Sequence, residues 1–425
     1  MAIKLQKEDA LVIRITDLIN SSLVNYNKYV NLNKDIKVID SEELQQSSEE
    51  KVYRIFGEIG LRGFIEAEIN NRLLEVYDFD SSSRGRPLTS FPEFSNQVDV
   101  AKKIVSRLKQ LPERYRLTLM LPSQFSEPLI PYVASIKMGE YCAICQADRL
   151  PNELPLASKN RLINEGLFSD PFSTSMNTDR NLPSSNLYFT SVELGYVASN
   201  RTAKISEQFL DKVRAIFGAL SAMGLLSSNF KSQDNKKPFV LIHRENDERE
   251  IVGTVEVADN LWERRWHQGT DNLVNGVVDK STSIKYGFDR AALVLVDNEF
   301  GQRLATACIW FYRAQTSTNA LDKILHATIA IEVLLGDREA AESVGLTKLL
   351  GNRCAYLLGK TRDQRNSIIA EFAEIYRVRS AIVHGGKHRL DKRDRSVSST
   401  CLKLCASVIA KELELHYSQD LGGSI

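Results

Sequence analysis

The stretch RDQRNSIIAEFAEIYRVRSAIVHGG, residues 362–386, decides the fold that we predict for the C-terminal part of the chain. Its apolar residues recur at helical spacing, as Ile368, Ile369, Phe372, Ile375, Tyr376 and Val383. Gly385 and Gly386 then form a strong stop signal for a helix. The pattern predicts an amphipathic helix over about 362–383, with Arg379 on its apolar stripe.

Two amphipathic helices are predicted before this stretch and one after it. The first starts at the capping residue Asn319 and ends at Gly336, the second covers 346–358, and the last covers 396–417. One charged residue interrupts the apolar stripe of each of the first two helices, Glu332 in one and Arg353 in the other. Because a lone buried charge is costly, we expect Glu332 and Arg353 to pair with each other. The alternative is that either side chain extends to solvent at the edge of its stripe.

The preceding three-quarters of the chain has a mixed pattern. Helical spacing favours helices over 8–30, 97–111 and 202–226, whereas 79–96, 151–187 and 227–237 are predicted as loops or linkers. Runs rich in Val, Ile and aromatics are predicted as strands in the segments 51–78, 117–121, 188–198, 239–242, 251–257, 291–296 and 304–311. The expected class is α+β, with a mixed α/β N-terminal region followed by an all-helical C-terminal bundle.

Three domains are predicted from these patterns. The first covers 1–228 and could be divided near 79–96 or 151–187. The second, over 238–316, is either a β-rich domain or a continuation of the first. The third is the helical domain over 317–425.

The composition is that of an ordinary folded protein. The chain has 425 residues, with 55 Lys and Arg against 54 Asp and Glu. This balance argues against a protein that coats nucleic acid over its whole surface. Six cysteines without a second pair at zinc spacing predict free thiols, including Cys142 and Cys145. We find no secretory signal and no apolar run that could span a membrane, so we expect a cytoplasmic protein without a membrane partner. The chain has no zinc-spaced pair of cysteine motifs and no nucleotide- or metal-binding motif, so we expect no metal or cofactor.

The charge is concentrated locally. From Tyr376 to Arg395 there are seven Lys and Arg against two Asp, a local net charge of +5. Five basic residues of this tract are candidates for contacts to phosphate groups, namely Lys387, His388, Arg389, Lys392 and Arg393. Such a tract favours contacts to phosphates at one site.

Arg379 and His384 form an R-x4-H pattern at the end of the predicted third helix. Histidine titrates near neutrality and can therefore accept a proton from an attacking hydroxyl group. The transition state gains negative charge, which a guanidinium can offset. The structural alternative is that Arg379 pairs with a carboxylate of the bundle while His384 caps the last carbonyls of the helix.

Residues 319–418 resemble the HEPN superfamily, and most closely its ApeA-like branch. The resemblance is carried by Ile331-Glu332-x-Leu-Leu, by Arg353-x-Ala-x-Leu-Leu, and by Tyr376-x-x-Arg379-Ser380-x-Ile-Val-His384-Gly385. It implies a helical bundle that pairs as a homodimer or higher oligomer. It also implies metal-independent endoribonuclease activity in a groove between the subunits, ending in a 2′,3′-cyclic phosphate. RNA, with tRNA among the candidates, would be the substrate.

The same resemblance implies roles for single residues. Arg379 would bind the scissile phosphate, His384 would act as base or acid, and Ser380 completes the catalytic set. Glu332, Arg353 and Tyr376 would support them. Similar proteins serve as toxins or antiphage-defence effectors, so a phage-derived trigger or an antitoxin is an expected partner.

Two alternatives stay open from the sequence. The bundle could be a catalytically silent HEPN module that binds nucleotide or RNA or that dimerises. An unrelated activity could instead lie in residues 1–316, although no known catalytic motif supports it.

Overall fold

The computed structural model describes residues 3–24, 39, 42–74, 85–150, 186–197, 204–231, 239–245, 247–257, 264–268, 280–386 and 388–422. The predicted irregular segment 151–187 therefore lies almost entirely outside the described residues, as does Lys387. The predicted α+β class with a helical C-terminal bundle is confirmed.

Helices form the N-terminal part and share a core of their own. They are α1 (Glu8–Ser21), α2 (Gln46–Phe56), α3 (Gly60–Leu74) and α4 (Gln97–Gln110). Asn96 caps α4, because its side chain accepts a hydrogen bond from the amide of Asp99 at 3.1 Å. In this core the rings of Phe56, Phe64 and Tyr196 contact one another.

The strands predicted within 51–78 are wrong, because α2, a 3₁₀ turn (Gly57–Ile59) and α3 cover the described part of this segment. Val52, Ile55 and Phe56 are buried at the spacing of one helix face. Gly57 and Gly60, with φ of 65° and 56°, break the helix between α2 and α3. The glycines divide the helical pattern into short apolar runs, and in the sequence such runs resemble strands.

Six strands form one antiparallel sheet in the order β2-β3-β4-β1-β6-β7. They are β1 (Glu113–Met120), β2 (Ser135–Met138), β3 (Cys142–Gln146), β4 (Leu187–Gly195), β6 (Phe239–Arg244) and β7 (Asp247–Glu256). A separate pair consists of β5 (Leu226–Lys231) and β8 (Arg264–Gln268). The linker predicted at 227–237 is therefore wrong up to Lys231. The strands predicted at 239–242 and 251–257 are confirmed, and they continue the sheet that β1 and β4 begin.

The sheet is joined to helices on one face. A short helix, α5 (Ser123–Ser126), follows β1, and the long α6 (Lys204–Ala222) packs on β4. Phe209 of α6 contacts Phe189 of β4, with their ring centroids 5.3 Å apart. The helix predicted over 202–226 is confirmed over Lys204–Ala222, whereas Leu226 already belongs to β5.

The strands predicted at 291–296 and 304–311 are wrong. Residues 280–316 form α7 (Lys280–Ala291), a 3₁₀ turn (Ala292–Leu295) and α8 (Glu299–Thr316). In α8, Leu304, Ala307, Cys308 and Phe311 are fully buried at the spacing of one helix face. A short apolar run does not distinguish a buried strand from a buried helix. The three domain boundaries themselves stay predictions.

The remaining helices complete the bundle as α9 (Ala320–Leu335), α10 (Arg338–Val344), α11 (Leu346–Leu358), α12 (Arg362–Val383) and α13 (Lys392–Gly422). Asn319 caps α9 as predicted, with its side chain accepting from the amide of Leu321 at 2.9 Å. The helices predicted over 346–358 and 362–383 are confirmed, whereas α10 was not predicted. One hydrophobic core extends from the sheet through α6 and α8 into this bundle.

Candidate active site

Helix α12 carries the R-x4-H residues and is fixed at both ends. Thr361 and Gln364 form a reciprocal capping box at its start. The helix ends at His384, and Gly386, with φ of 61°, lets the chain leave in the left-handed region. The motif therefore lies at the junction between α12 and the basic tract.

Glu332, Tyr376 and Arg379 form one polar cluster between α9 and α12. The Tyr376 hydroxyl donates a hydrogen bond to Glu332 Oε1. Arg379 Nη2 lies 3.3 Å from the same oxygen, and the guanidinium carbon lies 5.4 Å from the centre of the Tyr376 ring. Burial, with the hydrogen bond to Glu332, raises the pKa of Tyr376, so this tyrosine stays a neutral donor. The cluster thus fixes the position of the Arg379 guanidinium.

The predicted pair between Glu332 and Arg353 is wrong. Arg353 Nη1 donates to the carbonyl oxygen of Leu335 at 2.7 Å, and Nη2 donates to Asp337 Oδ2 at 3.1 Å. Arg353 therefore reaches the C-terminal end of α9, where carbonyl groups lack helical partners and attract cations. Glu332, one turn earlier, faces α12 instead. Arg353 supports the bundle, but it does not touch the Glu332 cluster.

Arg379 keeps part of its donor capacity. Its side chain is 23% exposed, and only Nη2 lies in salt-bridge range of Glu332. Its Nε is buried and has no hydrogen-bond acceptor within the described part of the chain. The first half of the structural alternative from the sequence is confirmed, because Arg379 pairs with a carboxylate of the bundle.

The other half of that alternative is not realised, because the imidazole of His384 does not cap the helix. The backbone amide of His384 donates to the carbonyl oxygen of Ser380 at 2.9 Å. Both side chains are exposed, and the imidazole forms no hydrogen bond or ion pair with the residues that the structure describes. His384 is therefore open to a substrate.

Arg379 and His384 point in different directions from one chain. Five residues of helix advance about 500°, which leaves the two side chains about 140° apart around the axis. Ser380 and His384 are four residues apart and share the exposed side. The structure thus brings Arg379 together with Glu332 and Tyr376, and His384 together with Ser380.

The basic tract is only partly described. His388 and Arg389 are exposed, Lys392 and Arg393 are the first residues of α13, and Lys387 lies outside the described residues. The tract also takes part in an ion pair that was not predicted from the sequence. Arg377 Nη2 donates to Asp394 Oδ1 at 2.9 Å, and its Nε donates to Glu374 Oε2 at 2.8 Å.

The ion pair between Arg377 and Asp394 joins α12 to α13 next to the motif. The Asp394 side chain is almost fully buried, so it is part of the fold. In sequence it had seemed only to dilute the charge of the tract. Its position three residues after Asp391, whose Oδ1 accepts the Asp394 amide, is the capping signal that could have revealed this role.

Metal-ligand clusters and membrane-spanning helices are both absent from the residues that the structure describes. They contain no group of three His, Cys, Asp or Glu side chains placed to hold a metal ion. All six cysteines are free, as predicted, and all six are buried. No described helix is long and apolar enough to cross a bilayer.

Comparison with protein-family models, with curated proteins and with solved structures finds no match to this chain.

Proposed function

We propose that the protein is an endoribonuclease that cuts RNA, tRNA among the candidate substrates, by 2′-OH attack without a metal ion. The observation that carries this proposal is the contrast between the two motif residues. Arg379 is held by Glu332 and Tyr376, whereas His384 is exposed and without a side-chain partner in the described structure. A fixed cation and an available imidazole are the two groups that this chemistry requires.

In the proposed reaction, His384 accepts the proton of the ribose 2′-OH. The O2′–P bond forms and the P–O5′ bond breaks, which leaves a 2′,3′-cyclic phosphate on one product. The departing 5′ oxygen takes a proton from a protonated imidazole. Arg379 stabilises the charge on the phosphorane oxygens.

A second copy of the chain completes this arrangement. Arg379 and His384 lie about 140° apart around α12, so one subunit presents them to one phosphate poorly. A groove between two subunits offers an arginine from one copy and a histidine from the other, with two imidazoles as base and acid. The resemblance to HEPN proteins implies the same assembly.

The proposed cellular role is that of a toxin or antiphage-defence effector in the cytoplasm. A phage-derived trigger or an antitoxin would control it. The N-terminal helices and sheet would then serve sensing or substrate selection.

One observation favours a second candidate, a catalytically silent module that binds RNA or nucleotide. The Arg379 guanidinium is already paired with Glu332. This pairing reduces the positive charge that is available to a scissile phosphate. A silent module binds RNA without cutting it, and His384→Ala leaves its affinity unchanged.

The deciding experiment uses the purified full chain with total RNA and with tRNA in the presence of EDTA. We expect cleavage to products with 2′,3′-cyclic phosphate ends, and loss of cleavage in His384→Ala. The matched control is His416→Ala on α13, roughly 36 Å along that helix from Lys392. Full cleavage by both His384→Ala and Arg379→Ala would overturn the proposal.

A further inference from the structure

One segment of the helical bundle carries cations and no carboxylate. Residues 343–362, which include all of α11, contain Lys348, Arg353, Lys360 and Arg362 but neither Asp nor Glu. Arg353 is used within the fold, at the end of α9. Lys348, Lys360 and Arg362 are exposed and form no ion pair within the described part of the chain. This end of the bundle therefore has positive charge available for a partner.

Tyr356 lies within this segment. At 72% exposed, it has the most exposed of the large apolar and aromatic side chains that the structure describes. Lys348, Asn352 and Tyr356 recur every four residues and so share one side of α11. The buried Leu350 and Cys354 lie on the opposite side. An exposed ring among unpaired cations is the combination that binds single-stranded nucleic acid.

Arg365, on α12, fixes the Tyr356 ring from one side. Its guanidinium carbon lies 4.8 Å from the centre of the ring, and its Nε donates to the carbonyl oxygen of Gly359 at 3.0 Å. A Cβ atom at Gly359 would lie only 2.6 Å from Arg365 Cγ, so the glycine permits this close approach. The terminal nitrogens of Arg365 have no acceptor within the described chain and remain available to a phosphate.

We propose that Tyr356, Lys360, Arg362 and Arg365 form a binding site for single-stranded RNA, which we call the Tyr356 site. A base stacks on the open face of the Tyr356 ring, and the three cations bind the neighbouring phosphates. A paired duplex does not offer the face of a base to the ring, so the site favours unpaired segments. The Tyr356 site rests on the proposed function for the identity of its ligand, RNA.

The Tyr356 site and the R-x4-H residues lie at opposite ends of α12. Arg362 and His384 are 22 residues apart, which places them roughly 33 Å apart along the helix and within about 40° of one another around its axis. Both side chains are exposed. An RNA strand at His384 can therefore follow the exposed side of α12 to Tyr356. The site would hold the substrate at a distance from the bond that is cut.

The test measures binding of a single-stranded RNA decamer to the full-length protein by fluorescence anisotropy. The RNA is 2′-O-methylated, because methylation of the 2′ oxygens blocks the proposed cleavage. Tyr356→Ala removes the ring and Tyr356→Phe keeps it. The matched control is Tyr53→Ala on α2, which removes another exposed ring, with Lys204 Nζ at 4.4 Å from its centre. A further variant, Lys360→Gln/Arg362→Gln, tests the contacts to phosphates.

We expect Tyr356→Ala to bind the decamer at least about fivefold more weakly than the wild type, whereas Tyr356→Phe and Tyr53→Ala bind it as the wild type does. In Lys360→Gln/Arg362→Gln, the slope of log Kd against log salt concentration should fall by about 1.4, because two phosphate contacts to a single strand are lost. Unchanged affinity in Tyr356→Ala, or an equal loss in Tyr53→Ala, would overturn the proposal. Unchanged affinity and an unchanged slope in all variants would overturn it too, and would leave an acidic protein as the partner of these cations.

Failure of the Tyr356 site and failure of the ribonuclease proposal are distinguishable. If the wild type cuts unmodified RNA, Tyr356→Ala should lower kcat/KM through KM, and more for a decamer than for a dinucleotide, which cannot reach from His384 to Tyr356. Cleavage with an unchanged KM for the decamer would overturn the Tyr356 site alone. If the wild type binds RNA through Tyr356 without cutting it, the ribonuclease proposal fails and the site stands.

Discussion

Glu332 on α9 and Arg379 on α12 form an interhelical ion pair, with 3.3 Å between Glu332 Oε1 and Arg379 Nη2. Tyr376 donates its hydroxyl to the same oxygen. The orientation of Arg379 is therefore set from a neighbouring helix. Glu332 is a positioning residue in the proposed reaction.

Replacing Glu332 with Gln tests this role. Glu332→Gln keeps the size of the side chain but removes the charge that holds Arg379. Since both partners are partly exposed, we expect a loss of about 1–2 kcal/mol in the free energy of unfolding. We expect a larger proportional fall in kcat than in substrate affinity, measured on RNA cleavage by the folded protein.

A double-mutant cycle checks the cluster itself. Glu332→Gln and Tyr376→Phe should couple by at least about 0.5 kcal/mol in urea unfolding, because they share one hydrogen bond. Strictly additive losses would contradict the arrangement.

Replacing His384 separates catalysis from folding. The imidazole is exposed and has no side-chain partner in the described structure, so His384→Ala should leave Tm unchanged within a degree or so. RNA cleavage should fall by at least about a hundredfold, as expected when a general base is removed. A fall in Tm as large as that of Glu332→Gln would show that His384 serves the fold.

Replacing Arg353 should lower stability without affecting catalysis. Arg353→Leu removes the bonds to the Leu335 carbonyl and to Asp337, which lock α11 against the end of α9. We expect a loss of about 1–2 kcal/mol in the free energy of unfolding, with cleavage per folded molecule unchanged. The exposed Arg362→Leu is the matched control and should cost little. Lost cleavage in a fully folded Arg353→Leu would place Arg353 in the catalytic machinery.

His243 should make the fold sensitive to acid. Its pKa is about 4 when folded, against 6.5 for a free histidine, so below pH 6.5 the unfolded chain binds the proton more tightly. The stabilisation is complete above pH 6.5 and is lost as the pH falls towards 4, by about 3 kcal/mol in total. His243→Leu should flatten the pH dependence of urea unfolding across this window. The exposed His388→Leu should leave its slope as in wild type.

The sequence predicted the bundle well, because its signals are local. Asn319 and Gly336 mark the two ends of α9, Gly385 and Gly386 mark the end of α12, and the helices of the structure respect these signals. The partner of Glu332 could not be identified from the sequence. Arg353 and Arg379 both lie on apolar stripes, and only the packing angle of α9 on its neighbours decides which one meets Glu332.

The elements of the α/β part were harder to predict, because contacts with distant segments decide their structure. In α8, the run from Leu304 to Phe311 is apolar on the face that meets other helices and carries aromatics that also favour strands. Likewise β5 is polar enough to resemble a linker, and pairing with β8 alone makes it a strand. Neither outcome is encoded within the segment itself.

Helix α8 packs extensively on α6, which lies against the sheet, and on α9, which carries Glu332. Helices α6, α8, α9 and α12 thus share one hydrophobic core with the sheet. Cutting the chain at residue 317 would expose the apolar surface of α9 that α8 covers. Any graft of the R-x4-H motif onto another protein would have to carry α8 with it.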